Sequence, residues 1–140
     1  MKFMIDLLFR FNARRRHIVS SAVLIVLAGL MGAGGVILAA ASAHVEPGAK
    51  LDSAAYMLLF HAAAVLGGAA LLKQELLWRP LGLITLFGLV LGGTLFSGDV
   101  ALRAFAGHRL FPMAAPTGGT ILIFAWLLLA VAAIIALSRS

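Results

Sequence analysis

The stretch that decides the fold is IVSSAVLIVLAGLMGAGGVILAAASA, residues 18–43, which contains no charged side chain. An α-helix needs about 20 predominantly apolar residues to cross the hydrocarbon core of a bilayer. The preceding arginines and the small residues Ala41-Ser42-Ala43 resemble a signal peptide with its cleavage site. The apolar core of such a peptide is only about 7–15 residues long, so the length favours a retained membrane-spanning helix.

Three further stretches downstream have the same apolar character. They run from about residue 53 to 72, from about 81 to 98 and from about 118 to 137. All four prolines lie outside the four stretches, as expected because proline disrupts a helix interior, and Pro80 is placed to open the third. The sequence therefore predicts an all-α membrane protein, with a four-transmembrane-helix bundle in residues 18–140.

The composition supports lipid rather than water as the main solvent. Hydrophobic residues make up 63% of the chain and charged residues 11%, whereas a soluble domain carries about 25% charged residues. The net charge of +6 does not indicate nucleic-acid binding, because Arg14, Arg15 and Arg16 directly precede the first span and no stacking aromatics interleave with them. We interpret these three arginines as a membrane-surface cluster.

The distribution of lysine and arginine predicts the orientation. Cytoplasmic segments of multi-pass proteins carry an excess of both residues. With the N-terminus inside, eight of them lie on the cytoplasmic side and three on the opposite side. We therefore expect a multi-pass protein of the inner membrane with both termini in the cytoplasm. The three on the opposite side are Lys50, Arg103 and Arg109.

Residues 1–17 form a basic segment of their own. On a helix, their apolar side chains gather on one side, while Lys2, Asp6 and Arg10 follow one another on the other. This pattern predicts a short amphipathic helix lying in the membrane interface. A frayed tail and a helix that docks on a partner subunit are the alternatives.

Small residues at helical spacing predict how the spans pack. In lipid, helices associate through close contact, which glycine and alanine permit. We expect Gly32, Gly67, Gly88 and Gly92 to lie at helix contacts, the last two forming a GxxxG pattern. The small-residue faces also predict a membrane-protein partner or self-association, in addition to the lipid bilayer itself.

His61 is the one ionisable residue well inside a span. Such a residue raises a functional hypothesis, although a neutral imidazole that hydrogen-bonds a neighbouring helix accounts for it equally simply. The open readings are a structural hydrogen bond, a site or pathway role, and ligation of metal or haem. A second histidine at matching depth is missing, because His44 lies nearer the outer surface and His17 at the inner end.

Asp99 and Arg103 stand four residues apart at the outer end of the third span. In a helix this spacing predicts an ion pair with the acid in the favourable position. The functional alternative is a polar pocket that opens outward. Its members would be Asp99, Arg103, Ser97, Thr94, His61 and Thr120.

Residue types needed for several chemistries are missing or scattered. The chain has no cysteine, which excludes disulfides, zinc-thiolate sites and thiol catalysis. The five carboxylates are dispersed over both sides, and neither a phosphate-binding loop nor a dinucleotide fingerprint occurs. We therefore predict a protein that is not an enzyme and has no catalytic residue, resident cofactor or metal site.

A series of short motifs resembles one known family. In chain order they are Ala43-His44, Phe60-His61-Ala62, Thr94-Leu95-Phe96-Ser97-Gly98, Ala115-Pro116-Thr117-Gly118-Gly119 and Trp126. The order and spacing resemble the bacterial inner-membrane family of domain of unknown function 423, which is related to the transmembrane protein 256 family. The resemblance runs from about residue 23 to 137 and implies four spans and an inner-membrane location. Asp99 departs from it, since many members have serine there.

Three functional hypotheses remain at this point. The first is a non-enzymatic accessory or assembly subunit of a larger membrane complex. The second is a small transporter or channel that uses His61 and the region of Asp99. The third is a haem- or quinone-binding membrane protein.

Overall fold

A computed structural model describes residues 2–44 and 51–139, with side chains at Met4 and from residue 19 onward within those ranges. Four helices account for nearly all of the described chain, and no strand occurs in it. The helices are α1 (Lys2–Ser42), α2 (Leu51–Lys73), α3 (Arg79–Ala106) and α4 (Ala114–Leu137). The predicted all-α, four-helix architecture is confirmed.

Each helix contains a segment long and apolar enough to cross a membrane. The shortest such segment has 23 residues, which corresponds to about 35 Å at 1.5 Å per residue and exceeds the roughly 30 Å of a hydrocarbon core. The segments are Val19–Ser42, Leu51–Lys73, Arg79–Ala106 and Ala114–Leu137. The prediction of four transmembrane helices therefore agrees with the structure.

The N-terminal segment does not form a helix of its own. α1 runs from Lys2 to Ser42 without a break, so a separate interfacial helix is not confirmed. The amphipathic stripe and the surface role of Arg14, Arg15 and Arg16 lie outside the described side chains and stay predictions.

The third helix extends beyond its predicted end. We expected the span to stop near Gly98, but α3 continues to Ala106 and closes at Gly107, which adopts a left-handed φ of 72°. The Gly107 N–H donates to the carbonyl of Arg103 at 3.1 Å. The charge of Asp99 did not mark the end of the helix, because Arg103 of the same helix neutralises it.

α2 and α3 form the centre of the bundle, and α1 and α4 pack on the outside of this pair. In the most apolar 18-residue window of each helix, buried residues make up 44% for α2 and α3, but only 22% and 17% for α1 and α4. Successive helices are antiparallel. The core between them consists mainly of Leu24, Val65, Leu86, Leu89 and Leu122.

The closest helix contact joins α3 to α4. A Cβ atom added at Gly92 would lie 2.8 Å from the carbonyl oxygen of Gly118, and one at Gly118 would lie 2.7 Å from the backbone nitrogen of Phe96. The two backbones thus touch where only glycine leaves room. A Cβ added at Gly88 would lie 3.3 Å from the Cβ of Ala125 in the same contact.

Two other predicted packing glycines behave differently. An added Cβ at Gly32 would make an ordinary 3.9 Å contact with Ala62, while one at Gly67 would meet no atom within 4 Å. The glycine of α2 that packs is Gly68, where an added Cβ would collide with the side chain of Leu86. Gly67 points outward because it is rotated about 100° from its neighbour.

Candidate functional site

His61 lies in the buried interior of α2, with 7% of its surface exposed. Its Nδ1 donates a hydrogen bond to the carbonyl oxygen of Met57, one turn earlier, at 2.7 Å. Because a carbonyl can only accept, this contact places the proton of the neutral ring on Nδ1. Nε2 is left with a lone pair that needs a donor.

Trp126 of α4 supplies that donor. Its indole Nε1 donates to His61 Nε2 at 3.3 Å, and the two rings meet edge-on with centroids 6.2 Å apart. The outer part of the indole remains exposed on the lipid-facing side of α4. This bond links the two helices through their side chains and leaves both nitrogens of His61 with a partner.

All four helices come together around His61. An added Cβ at Gly93 of α3 would lie 3.6 Å from the Cβ of His61 and 3.1 Å from the Cε of Met31 on α1. The glycine therefore leaves the space that the imidazole and the methionine fill. We name His61, Trp126, Gly93 and Met31 the histidine centre.

Asp99 occupies a second polar position, at the end of the bundle where α3 ends and α4 begins. Its carboxylate is fully buried and accepts hydrogen bonds from Arg103 Nη2 at 2.7 Å and from the backbone N–H of Leu110 at 3.0 Å. Arg103 is partly exposed, so its charge remains in contact with solvent or headgroups. Asp99 therefore ties the α3–α4 connection to the helix before it.

The remaining members of the predicted polar pocket direct their hydroxyls to backbone carbonyls rather than to Asp99. Ser97 donates to the carbonyl of Ala54 at 2.9 Å and so joins α3 to α2. Thr94 and Thr120 are exposed, and each donates to a carbonyl of its own helix.

The structure thus divides the predicted pocket into two places. Asp99 and Arg103 are together, as their spacing predicted, and Ser97 lies nearby on the same helix. His61 packs against Gly93, roughly 9 Å along the α3 axis from Asp99 at 1.5 Å per residue. Its polar contacts go to Met57 and Trp126 instead.

The polar groups of both places make hydrogen bonds within the protein. Among the side chains that the structure describes, no three histidine, aspartate or glutamate residues cluster as a metal site would require. An axial ligand to haem would need His61 Nε2, which already accepts from Trp126. The hydroxyl of Thr85 in α3 is the one buried side-chain polar atom of the described part that lacks a hydrogen bond.

Sequence reasoning missed three of the groups that complete these sites. They are Trp126, the N–H of Leu110 and the carbonyl of Ala54. A signal existed only for Trp126, because an indole N–H in the middle of an apolar span needs an acceptor. Backbone groups on other elements leave no trace in the sequence pattern.

Four antiparallel membrane-spanning helices around an apolar core with a few buried polar side chains define the class: a multi-pass α-helical membrane protein. Comparison with known families assigns the chain more narrowly. Residues 31–119 match the family described as "Protein of unknown function (DUF423)", and the chain belongs to this family. The matched region contains His61, Gly93 and Asp99 but ends before Trp126. No curated protein and no solved structure matches the chain.

Proposed function

We propose that this protein is a non-enzymatic accessory or assembly subunit of a larger membrane complex. It contacts its partner through outward-facing small residues of α1 and α2. It resides in the inner membrane with both termini in the cytoplasm, in keeping with the excess of lysine and arginine on the side of the termini.

The observation that carries the proposal is a set of small residues on the outer surfaces of α1 and α2. Each of α1 and α2 presents a stripe of small residues away from the bundle, and added Cβ atoms at Gly29 and Gly67 would meet nothing within 4 Å. The α1 stripe consists of Ala22, Gly29, Ala33 and Ala40, and the α2 stripe of Ala63, Gly67 and Ala70.

Large apolar side chains are also exposed on all four helices, among them Val26, Ile37, Phe60, Ile84 and Phe124. Bulky side chains pack well against acyl chains, whereas small residues let a second helix approach closely. The two stripes therefore offer a surface on which a partner helix can pack, and no helix of the bundle covers this surface.

The polar groups support a role without chemistry of its own. His61 has partners for both ring nitrogens, and Asp99 is buried against Arg103 and the Leu110 amide. These are the arrangements expected of groups that hold helices and loops in place.

The test is to disturb each stripe and follow the size of the assembly. Gly29→Leu and Gly67→Leu add bulk where the bundle leaves open space, so the fold should persist. Ala130→Leu makes a comparable change on the exposed surface of α4 and serves as the control. Complexes are extracted from native membranes in mild detergent and weighed by native mass spectrometry.

We expect the unaltered protein and the Ala130→Leu variant to occur in an assembly heavier than the monomer. At least one stripe variant should shift to the free monomer while keeping its helical circular dichroism. A monomer without co-purifying protein in every sample would overturn the proposal.

A further inference from the structure

Arg79 at the start of α3 is a partly buried cation without a described anionic partner. Its Nη2 donates to the hydroxyl of Ser20 on α1 at 2.8 Å, which uses one of the five donors of the guanidinium. Across the described side chains, the one ion pair is that of Asp99 and Arg103, at the opposite end of the bundle. A partly buried charge is stabilised by a counter-charge, so Arg79 can bind an anion.

A second guanidinium belongs to the same end of the bundle. Arg139, after the end of α4, sits over the ring of Trp78 at 4.9 Å from the centroid. The backbone N–H of Trp78 donates to the carbonyl of Ala132 at 2.9 Å, which fixes this residue between α3 and α4. Since Trp78 directly precedes Arg79, both cations belong to one region at the end of the spans.

The electrostatic surroundings favour an anion there. The described charges at this end are Lys73, Arg79 and Arg139 against Glu75, whereas the other end has Asp52 and Asp99 against Arg103 and Arg109. The N-terminus of the 28-residue α3 adds the positive end of a helix dipole, and no side chain caps it.

We propose that Arg79 and Arg139 bind the phosphate of an anionic phospholipid headgroup. A planar guanidinium can donate two parallel hydrogen bonds to one phosphate. Tryptophan is enriched at the membrane–water interface, which is the depth at which headgroup phosphates lie. Free phosphate has the same chemistry, but the site lies at the end of membrane spans, where a headgroup is held in place by its acyl chains. The inference is independent of the proposed partner role and requires only that the helices span a bilayer.

The experiment measures lipid retention on the full-length purified protein by native mass spectrometry. The probes are phosphatidylglycerol, phosphatidylcholine and inorganic phosphate, each added separately. Variants are Arg79→Gln and Arg139→Gln, and the control is Arg109→Gln, which removes an exposed arginine from the other end. We expect the protein to retain phosphatidylglycerol over phosphatidylcholine, and each of the two variants to weaken that retention by about tenfold. The control should be unchanged.

Ser20→Ala separates lipid binding from a structural role of Arg79. It removes the hydroxyl that the guanidinium contacts but leaves both charges, so phosphatidylglycerol retention should persist. If Ser20→Ala lost the lipid as fully as Arg79→Gln while Arg139→Gln kept it, Arg79 would serve only to join α1 and α3. Equal retention of both lipids, or inorganic phosphate binding as tightly as phosphatidylglycerol, would also overturn the proposal.

Discussion

An imidazole inside a membrane span needs a partner for each ring nitrogen, because lipid offers none. His61 obtains one from its own helix, the Met57 carbonyl, and the other from Trp126 across the bundle. The bond to Met57 can form in any helix, because donor and acceptor lie one turn apart. It therefore stabilises the buried ring without specifying how the helices pack. The second depends on how α2 and α4 are placed, and it therefore helps to specify the arrangement of the helices.

A double-mutant cycle tests the bond between His61 and Trp126. His61→Leu leaves the indole N–H without its acceptor, and Trp126→Phe leaves Nε2 without its donor. We expect a coupling of about 0.6 kcal/mol in the free energy of unfolding, the average for hydrogen bonds between membrane helices, and not above the maximum of about 1.7 kcal/mol. Reversible unfolding in mixed micelles measures it, with Phe60→Leu on the exposed side of α2 as control. Additive effects of the two changes would contradict the bond.

Asp99 should control the α3–α4 connection. Asp99→Ala leaves the amide of Leu110 unsatisfied and Arg103 unpaired, which we expect to lower the free energy of unfolding by about 1–3 kcal/mol. Trypsin should then cut faster after Arg109 within the connection, as limited proteolysis with mass spectrometry can show. Asp52→Ala removes an exposed carboxylate at the same end and should not change the rate. Equal cleavage of both variants would mean that Asp99 does not hold the connection.

At single residues, prediction succeeded where the interaction is local in sequence. The spacing of Asp99 and Arg103 determines that the two side chains meet if the helix continues, and they do. The burial of His61 also followed from its position in an apolar run. Its partner Trp126 did not, because the contact depends on the relative depth of two helices that are not neighbours in the chain.

At the level of elements, the contact between α3 and α4 depends on backbone-to-backbone approach. Gly118→Ala would place a Cβ against the backbone of Phe96 and Gly92, which no side-chain rotation relieves. We expect the helices to move apart and the free energy of unfolding to fall by about 1–3 kcal/mol. Thermal unfolding in detergent, followed by circular dichroism, measures the loss.

The adjacent glycine provides a matched control. Gly119→Ala meets nothing within 4 Å, so it should leave stability unchanged or raise it by about 0.5–1 kcal/mol, since alanine favours the helix. If the two variants unfolded alike, the close α3–α4 contact would not contribute to stability.

The existence of the four helices could be predicted from apolar length and proline positions, because both act within a single segment. The rotation of each helix could not. α2 is apolar around most of its circumference, so periodicity does not distinguish the packed Gly68 from the outward Gly67. The end of α3 was misplaced for a related reason: a charge that is neutralised within the helix does not end it.

At the scale of the whole molecule, four antiparallel spans place the end of α4 at the same end of the bundle as the start of the first span. The bundle can then insert in two ways, and the basic side chains decide between them. Eight lysines and arginines belong to the end that carries the termini and three to the other. Translocating the larger group costs more, so the end with the termini should stay in the cytoplasm.

Cysteine labelling tests this orientation directly, because the chain has no native cysteine. Ser138→Cys lies after α4 and His108→Cys in the α3–α4 connection, and both positions are exposed. The reagent is a maleimide that passes the outer barrier of intact cells but does not cross the membrane that holds the protein. In such cells it should label the His108→Cys variant at once. It should label Ser138→Cys only after the inner membrane is lysed. The opposite result would invert the molecule, and Arg79 and Arg139 would then face the leaflet away from the cytoplasm. Labelling of both positions in intact cells would contradict a bundle that crosses the membrane from end to end.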